Sequence, residues 1–303
     1  MVVMHPANQL PAQTKEAAPQ NPRVARTRAI DSHVHVWTPD TAKYPLAPGF
    51  EQSAMQPPSF SPERLLELAR PNGVDRVVLI QMSYYGFDNS FMLDSIKRFP
   101  GVFSGVAVVD ENAPELPDTV RELARQGVRG FRIAPGKRPV EEWIGARGMA
   151  TLWKHAAEAG LAVCPLINPN ALANIDWMCG RFPDTAVVID HFARIGADGE
   201  IRETDLMKLC RLARLKNTYV KTSAFYALGR KKAPYSDLSP MIRRLYDAFG
   251  PERLMWATDC PFQMAPGHGY AASVELIRDR LDFLSATDRQ WMLRKTAERV
   301  FFS

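Results

Sequence analysis

Short apolar runs alternate with amphipathic stretches from residue 29 to the end of the 303-residue chain. Each apolar run is rich in β-branched residues, and each stretch after it has the polar and apolar spacing of a helix. Ser61, Pro62 and Glu63 are typical of a helix start, and Gly73 is typical of its end. The pattern predicts eight strands: 28–37, 74–83, 103–110, 128–135, 161–168, 185–193, 218–228 and 253–262.

Regular strand–helix alternation predicts a parallel sheet with helical crossovers. The helical segments are expected at 61–73, 89–99, 115–127, within 141–160, 171–182, 204–217, 236–250 and from about 271 to the end. Eight units in residues 29–303, without a break in composition, favour one (β/α)8 barrel domain of the α/β class over an open sheet. No glycine-rich phosphate-binding motif is present.

The first 28 residues differ from the rest of the chain. They contain Pro6, Pro11, Pro19 and Pro22 and lack the apolar run of a secretory signal. A segment of this composition cannot bury an apolar face, so we predict a flexible extension. No stretch of the chain reaches the ~18 apolar residues of a membrane span. Together with four scattered cysteines that form no C-x-x-C pair, this favours a cytoplasmic protein with reduced thiols.

Composition and charge exclude several function classes. A hydrophobic content of 46% excludes a disordered chain. The net charge of +5 falls largely in the tail, where four basic residues and one acidic residue precede position 31. The remaining basic residues form no stripe with interleaved aromatics, so we expect no nucleic-acid partner. Short basic groups at 230–232 and 243–246 are interpreted as solvated faces.

Chemistry in such a barrel is expected at the C-terminal ends of the strands. His33 and His35 lie two apart on strand one, so both side chains should face the barrel interior. His191 ends strand six and Asp259 ends strand eight, in the same layer. Asp190 should point away if His191 points inward, and we assign it either a structural role or the role of supporting a residue of the site. His268 follows strand eight in a glycine-rich loop, and its role stays open.

Six segments in this order resemble the amidohydrolase superfamily. They read IDSHVHVW, QMSYYGFDNSFMLDSI, GVRGFRIAPGKR, VVIDHFAR, YVKTSAFYA and WATDCP. More narrowly, residues 29–303 resemble the amidohydrolase-2 group, which contains 2-pyrone-4,6-dicarboxylate lactonase and related sugar and muconolactone lactonases. The resemblance implies hydrolysis of a lactone, a cyclic ester.

The resemblance also implies roles for individual residues. Asp259 matches the general base for water, and His33, His35 and His191 match the histidines that polarise the scissile carbonyl. Matches to substrate-binding residues are Arg132 and Arg138, for substrate carboxylates, and Ser83, for a hydrogen bond. An ion pair within the barrel is the alternative for Arg132, and a solvated surface charge for Arg138.

Two departures from the pyrone lactonase pattern concern its substrate site. The stretch after YVKTS reads FYALG where an arginine is expected, and LAVCPLIN on strand five lacks an aromatic hydroxyl. The hydrolytic chemistry of the superfamily is therefore a firmer expectation than pyrone dicarboxylate as the substrate. Tyr84 and Tyr85 are predicted to line the pocket instead.

A metal ion is the open question of the sequence. His33, His35 and Asp259 would suffice in number for one catalytic Zn²⁺. Binuclear members of the superfamily add a Lys or Glu on strand four and a His on strand five. Strand four ends FRIAP and strand five reads LAVCPLIN, so both of these residues are absent and a binuclear site is excluded. We expect one divalent ion, Zn²⁺ before others, or none.

We therefore predict a hydrolase that opens a lactone of a small, carboxylated metabolite, with a small anionic lactone as its partner. A zinc-dependent decarboxylase or hydratase of an aromatic or dienoic acid is the alternative, although the strand-five histidine of those decarboxylases is absent. A non-enzymatic binding barrel is a weaker alternative. The identity of the lactone is left open, as is a homo-oligomeric state.

Overall fold

A computed structural model describes residues 28–303, in which eight strands pair in parallel in the order β1 to β8. The predicted (β/α)8 barrel is confirmed. The predicted flexible extension lies outside the described residues, apart from residue 28. The strands are β1 Ala29–Val34, β2 Val74–Ile80, β3 Phe103–Ala107, β4 Val128–Ile133, β5 Ala162–Pro165, β6 Ala186–Ile189, β7 Thr218–Thr222 and β8 Leu254–Trp256.

Helices follow the strands as the pattern predicts. Ser61 caps the first helix by accepting a hydrogen bond from the Arg64 amide, and Gly73 has a positive φ of 83° where the chain turns into β2. The predicted helical region 141–160 is two helices rather than one. The helices are α1 Pro62–Ala69, α2 Ser90–Arg98, α3 Leu116–Arg125, α4 Val140–Gly145, α5 Arg147–Glu158, α6 Leu172–Arg181, α7 Glu203–Arg211, α8 Ser239–Phe249, α9 Tyr270–Glu275, α10 Ala286–Gln290 and α11 Thr296–Phe301.

Apolar side chains fill much of the interior of the barrel. Ile30, Val78, Val106 and Met255 from four different strands belong to one buried cluster. Phe301 of α11 joins this cluster, and α11 contacts β1, β4 and β8. The last helix therefore closes the N-terminal end of the barrel, so the opposite end is the one open to a ligand.

The barrel closes at the seam between β1 and β8. The amide of Asp259 donates to the carbonyl oxygen of His33 at 2.9 Å, and the amide of His35 donates to the carbonyl oxygen of Cys260 at 2.9 Å. These bonds continue the pairing beyond the end of β8, where Val34 and Cys260 form a parallel bridge. The seam thus places Asp259 beside two of the predicted histidines.

Asp31 fastens the same seam through its side chain. Its carboxylate accepts hydrogen bonds from the Thr258 amide at 2.9 Å, the Thr258 hydroxyl at 2.5 Å and the Tyr270 hydroxyl at 2.8 Å. Burial raises the pKa of Asp31 to about 6, although these hydrogen bonds oppose the rise. Removal of one of these donors therefore destabilises the protein, because the buried carboxylate loses a hydrogen bond.

The loop of residues 38–59 returns to the barrel through an antiparallel backbone pair. The amide of Trp37 donates to the Phe60 carbonyl at 2.9 Å, and the Phe60 amide donates to the Trp37 carbonyl at 3.1 Å. The Tyr84 hydroxyl donates to the carbonyl oxygen of Ala54 at 3.0 Å. The loop is therefore tied to the segment that follows β2, at the open end of the barrel.

Two further expectations concern thiols and membranes. All four cysteines are free thiols, and burial raises the pKa of both Cys164 and Cys179 to about 12. Within residues 28–303, we find no helix with the length and apolar character needed to cross a bilayer.

Thr258→Val tests the seam. The variant loses the hydroxyl that donates to Asp31 and accepts from the Cys260 amide at 3.0 Å. We expect a destabilisation of about 1–3 kcal/mol, because buried polar groups lose their partner. Urea unfolding measures this cost. Thr287→Val, at an exposed threonine, should change the free energy of unfolding by less than about 0.5 kcal/mol. Equal stability of the two variants would contradict the assigned role of Thr258.

Candidate active site

Three histidines and one aspartate converge at the C-terminal ends of β1, β6 and β8. The Nε2 atoms of His33 and His35 lie 3.5 Å and 3.3 Å from Oδ1 of Asp259. The Nε2 atom of His191 lies 3.9 Å from Oδ2 of the same carboxylate. All four residues are buried. The structure thus brings together the four residues that the sequence analysis assigned to catalysis.

The tautomer of His35 follows from its backbone contact. Its Nδ1 lies 3.0 Å from the carbonyl oxygen of Ile80, which can only accept, so Nδ1 carries the proton. In a neutral His35 the lone pair on Nε2 then faces the carboxylate of Asp259. Two acceptors 3.3 Å apart repel each other unless a proton or a cation lies between them. The pair is therefore built to share a positive charge.

His191 is neutral in the folded protein. Burial lowers its pKa to about 4, against the opposing effect of the Asp259 charge. Its Nδ1 lies 2.8 Å from the hydroxyl of Ser223, which follows β7. This contact fixes the ring and leaves Nε2 turned toward the cavity described below.

The backbone after β6 forms a left-handed turn. His191, Phe192, Ala193 and Arg194 have φ angles of 49°, 54°, 54° and 58°. Such angles cost a non-glycine residue about 1–2 kcal/mol each, so the surrounding packing must hold the turn. Asp259 has a φ of 68° at the end of β8. Strained backbone therefore coincides with two of the four converging residues.

The expectation that Asp190 points away from the interior is wrong. Its Oδ1 lies 3.3 Å from Nδ1 of His33, and the residue is fully buried. Strict alternation holds only along an extended strand, and the left-handed angle of His191 ends the alternation at that position. Asp190 and His191 therefore both face the site.

A buried lysine balances the charge of Asp190. The Lys221 ammonium on β7 lies 2.9 Å from Oδ1 of Asp190 and 3.1 Å from Nδ1 of His33. Burial raises the pKa of Asp190, but Lys221 and His33 outweigh it and hold the pKa well below its usual range. Burial, together with the charge of Lys221, lowers the pKa of His33 well below its ordinary value. The network behind the site is thus a Lys221–Asp190 ion pair against a neutral imidazole.

Asp259 is ionised, and a tyrosine orients it. Burial alone would raise its pKa, but His191, His35 and His33 together lower it below the usual range. The Tyr226 hydroxyl donates to Oδ2 at 2.7 Å. Burial and the Asp259 charge raise the pKa of Tyr226, so the phenol keeps its proton. Oδ1 is buried and has no hydrogen-bond partner, which leaves it available to a ligand.

A cavity of about 600 Å³ opens above this cluster, within the range of small-molecule sites. His35, His191 and Asp259 lie on its wall, whereas the fully buried His33 lies beneath it. Most of the remaining wall is apolar. The predicted substrate-binding residues Ser83, Arg132 and Arg138 also line the cavity.

Tyr84 and Tyr85 do not line this cavity, contrary to the prediction. The Tyr84 hydroxyl donates to a backbone carbonyl of the 38–59 loop, and its ring packs edge-on against Trp37 at 5.4 Å. The Tyr85 hydroxyl accepts from the Thr38 amide at 3.1 Å. The turn after Met82 directs both rings into that loop, so they anchor it and leave the wall to Phe87 and Gly86.

The two predicted arginines are held differently. The Arg132 Nε lies 3.9 Å from Oδ2 of Asp190, too long for a hydrogen bond, and is buried without a partner. Arg138 forms an ion pair of 2.6 Å with Glu111, whose side chain is only 11% exposed. Of the two arginines, only Arg138 therefore has a carboxylate within hydrogen-bond distance.

The donor set suits one divalent ion. Ligand atoms of His33, His191 and Asp259 all lie within 4.8 Å of one another. The buried Nε2 of His33 and Oδ1 of Asp259 lack hydrogen-bond partners, as expected of atoms that can bind a cation. The predicted ligand set of His33, His35 and Asp259 overlaps this group, and His35 Nε2 approaches the same carboxylate. Nitrogen and oxygen donors of this kind fit Zn²⁺.

Lys221, Tyr226 and Ser223 were missed by the sequence analysis. Lys221 carried a signal, because it is a lone charge within the buried strand TYVKT. Tyr226 and Ser223 carried none, since hydroxyls after a strand are common in loops. Nδ1 of His268 lies 2.9 Å from the Tyr235 hydroxyl, and the two rings are stacked. His268 therefore supports the loop after β8.

Histidines and a carboxylate converge at the C-terminal ends of the strands, where (β/α)8 barrel enzymes carry their active sites. The family model of the amidohydrolases (Amidohydro_2) matches residues 30–302, and the chain belongs to this family.

Relatives and solved structures agree with that family. A 4-sulfomuconolactone hydrolase of Rhizobium radiobacter is 27% identical over 77% of this chain and 75% of its own. A 2-pyrone-4,6-dicarboxylate hydrolase of Comamonas testosteroni is 27% identical over 79% of both chains. The crystal structure of an amidohydrolase from Burkholderia multivorans with bound zinc superposes with a TM-score of 0.76, at 23% identity, over 91% of this chain and 99% of its own.

A double-mutant cycle tests the Lys221–Asp190 pair. We expect Lys221→Met and Asp190→Asn each to lower the free energy of unfolding by about 3–5 kcal/mol, because each leaves a buried charge unpaired. The double variant should cost clearly less than the sum of the two. Urea unfolding of all four proteins gives the coupling.

Lys208→Met, which removes an ammonium from an exposed pair with Asp205, is the matched control and should cost little. Additive costs for Lys221 and Asp190 would show that the two charges do not stabilise each other.

Proposed function

We propose that this amidohydrolase opens a lactone that carries a further carboxylate. The observation that carries the proposal is the ionised Asp259, held by Tyr226 and three histidines at the base of a mostly apolar cavity. The printed functions of the relatives, hydrolysis of 4-sulfomuconolactone and of a pyrone dicarboxylate, support the choice of a lactone.

Asp259 acts as the base for water. Its carboxylate is ionised at neutral pH, and Tyr226 holds Oδ2 so that Oδ1 keeps a fixed direction. A water molecule in the cavity next to Oδ1 gives its proton to the carboxylate as its oxygen attacks the lactone carbonyl. General-base assistance of this kind contributes about 10²–10⁴-fold to the rate.

His191 polarises the carbonyl oxygen. It is neutral and lies on the cavity wall, and when Nδ1 accepts from the Ser223 hydroxyl its Nε2–H can donate to the developing oxyanion. His35 lies on the wall with Nε2 3.3 Å from Oδ1 of Asp259 and fixes the position of this carboxylate. His33 is buried below the cavity and acts by fixing the position of Asp259.

One divalent ion held by His33, His191 and Asp259 would supply Lewis-acid polarisation of the same carbonyl. The residues of the chain complete the reaction as follows. The new C–O bond to water forms, the ring C–O bond breaks, and Asp259 returns its proton to the leaving enol or alcohol oxygen. The product is an open-chain hydroxy or keto acid, and no other co-reactant is needed.

The carboxylate on the substrate is inferred from the arginines of the wall. Arg132 lines a mostly apolar cavity, and a guanidinium binds a carboxylate through two parallel hydrogen bonds. An uncharged lactone would leave this charge unpaired when it displaced water from the cavity.

Asp259→Asn tests the proposal with a panel of carboxylated and neutral lactones, with and without a chelator. We expect kcat/KM on the best lactone to fall at least about 100-fold, with unchanged unfolding, because the base is lost. Asp282→Asn, at an exposed aspartate, should retain the wild-type value.

Retention of more than about a tenth of kcat/KM by Asp259→Asn would remove Asp259 from this role. Metal content measured before and after chelation, alongside activity, decides between one ion and none.

A further inference from the structure

We propose that Arg194, rather than Arg138, binds the second anionic group of the substrate together with Arg132. The inference rests on the proposed function, since it assigns the part of the site that recognises an anionic lactone. Arg194 lies at the end of the left-handed turn that begins at His191, and its side chain lines the cavity.

The turn fixes the backbone of Arg194. Phe192 and Ala193 are fully buried, and the Phe192 ring packs against Phe225 at 6.2 Å. The loop that follows is tied to the next one by a hydrogen bond of 2.9 Å from the Gly229 amide to the Gly196 carbonyl. An arginine on a backbone fixed at both ends loses less conformational freedom when it binds an anion.

Arg194 carries an unmatched charge. Within residues 28–303, no carboxylate lies within 4.0 Å of its guanidinium. Arg138 differs, because Glu111 neutralises it at 2.6 Å. A substrate carboxylate at Arg138 would have to displace or repel the Glu111 carboxylate.

The positive charge of Arg194 compensates for the negative charge of Asp259 in the cavity wall. The cavity wall holds the negative charge of Asp259, which repels an anionic substrate. The Arg194 charge lies near Tyr226, the residue that donates to Asp259, and it opposes the rise in the pKa of that phenol. It therefore offsets the repulsion on the side of the cavity formed after β6 and β7.

The chemical class of substrate follows. Arg132 on β4 and Arg194 after β6 approach the cavity from the two sides of β5, with His191 and Asp259 at its base. A flat ring lactone with two anionic groups, or one anionic group beside a polar acyl oxygen, can contact both arginines. A neutral sugar lactone can use neither charge.

The test compares Arg194→Ala, Arg194→Lys and Arg138→Ala with Arg230→Ala, an exposed arginine outside the cavity wall. On a dicarboxylated lactone, we expect Arg194→Ala to lose about 30-fold in kcat/KM, mostly through KM, because a charge-assisted bidentate contact is lost. Arg194→Lys should recover part of the loss. Arg138→Ala should lose less, and Arg230→Ala should match the wild type. On a neutral lactone, Arg194→Ala should change by less than about threefold.

Binding of isophthalate, a flat dicarboxylate without an ester bond, separates this inference from the proposed function. Calorimetry should show binding to the wild type and at least about tenfold weaker binding to Arg194→Ala. Equal binding to both proteins, or none to the wild type, overturns the assignment of Arg194, as does an equal loss on neutral and charged lactones. Absence of any lactone turnover by the wild type, with isophthalate binding intact, overturns the proposed function and leaves the anion site standing.

Discussion

The hydrogen bonds that join β1 to β8 decide both the shape of the barrel and the composition of its site. The same backbone pairs that close the sheet place Asp259 against His33 and His35, at 2.9 Å between backbone atoms and 3.3–3.5 Å between side chains. Asp31 reinforces this seam through Thr258, the residue that precedes Asp259. Closure of the fold and the placement of Asp259 beside His33 and His35 are therefore one structural event.

Behind the seam, the site depends on how charge is buried. Lys221 compensates Asp190, and together they leave a neutral His33 whose Nε2 faces the cavity side. Burial of one charge alone would be costly in the barrel interior, and the ion pair offsets that cost. The Asp259 carboxylate in turn keeps its charge because the histidines and Tyr226 surround it. The cavity wall thus carries an ionised carboxylate, the imidazoles of His35 and His191, and arginines.

Much of this could be predicted from local rules. Strand–helix alternation predicts the barrel, and the i, i+2 spacing predicts the common orientation of His33 and His35, because both residues lie in extended backbone. The same rule fails at Asp190, since the left-handed turn after β6 cannot be inferred from residues that are not glycine.

Long-range contacts account for the other differences. Tyr84 and Tyr85 sit beside the site in sequence, yet their hydroxyls bind the 38–59 loop, whose path no local pattern encodes. The ion pair between Arg138 and Glu111 joins residues 27 positions apart, and the bond from Tyr226 to Asp259 joins two strand ends. Such partners become visible only when the barrel brings the loops together.

We propose that water activated by Asp259 attacks the carbonyl carbon of a lactone. Turnover in H₂¹⁸O followed by mass spectrometry of the product tests it most directly. With a lactone that releases an alcohol, whose hydroxyl oxygen does not exchange with water, we expect one ¹⁸O atom in the newly formed carboxylate and none in the released hydroxyl. Label in the released oxygen, or a product formed by loss of CO₂ without label, would contradict it.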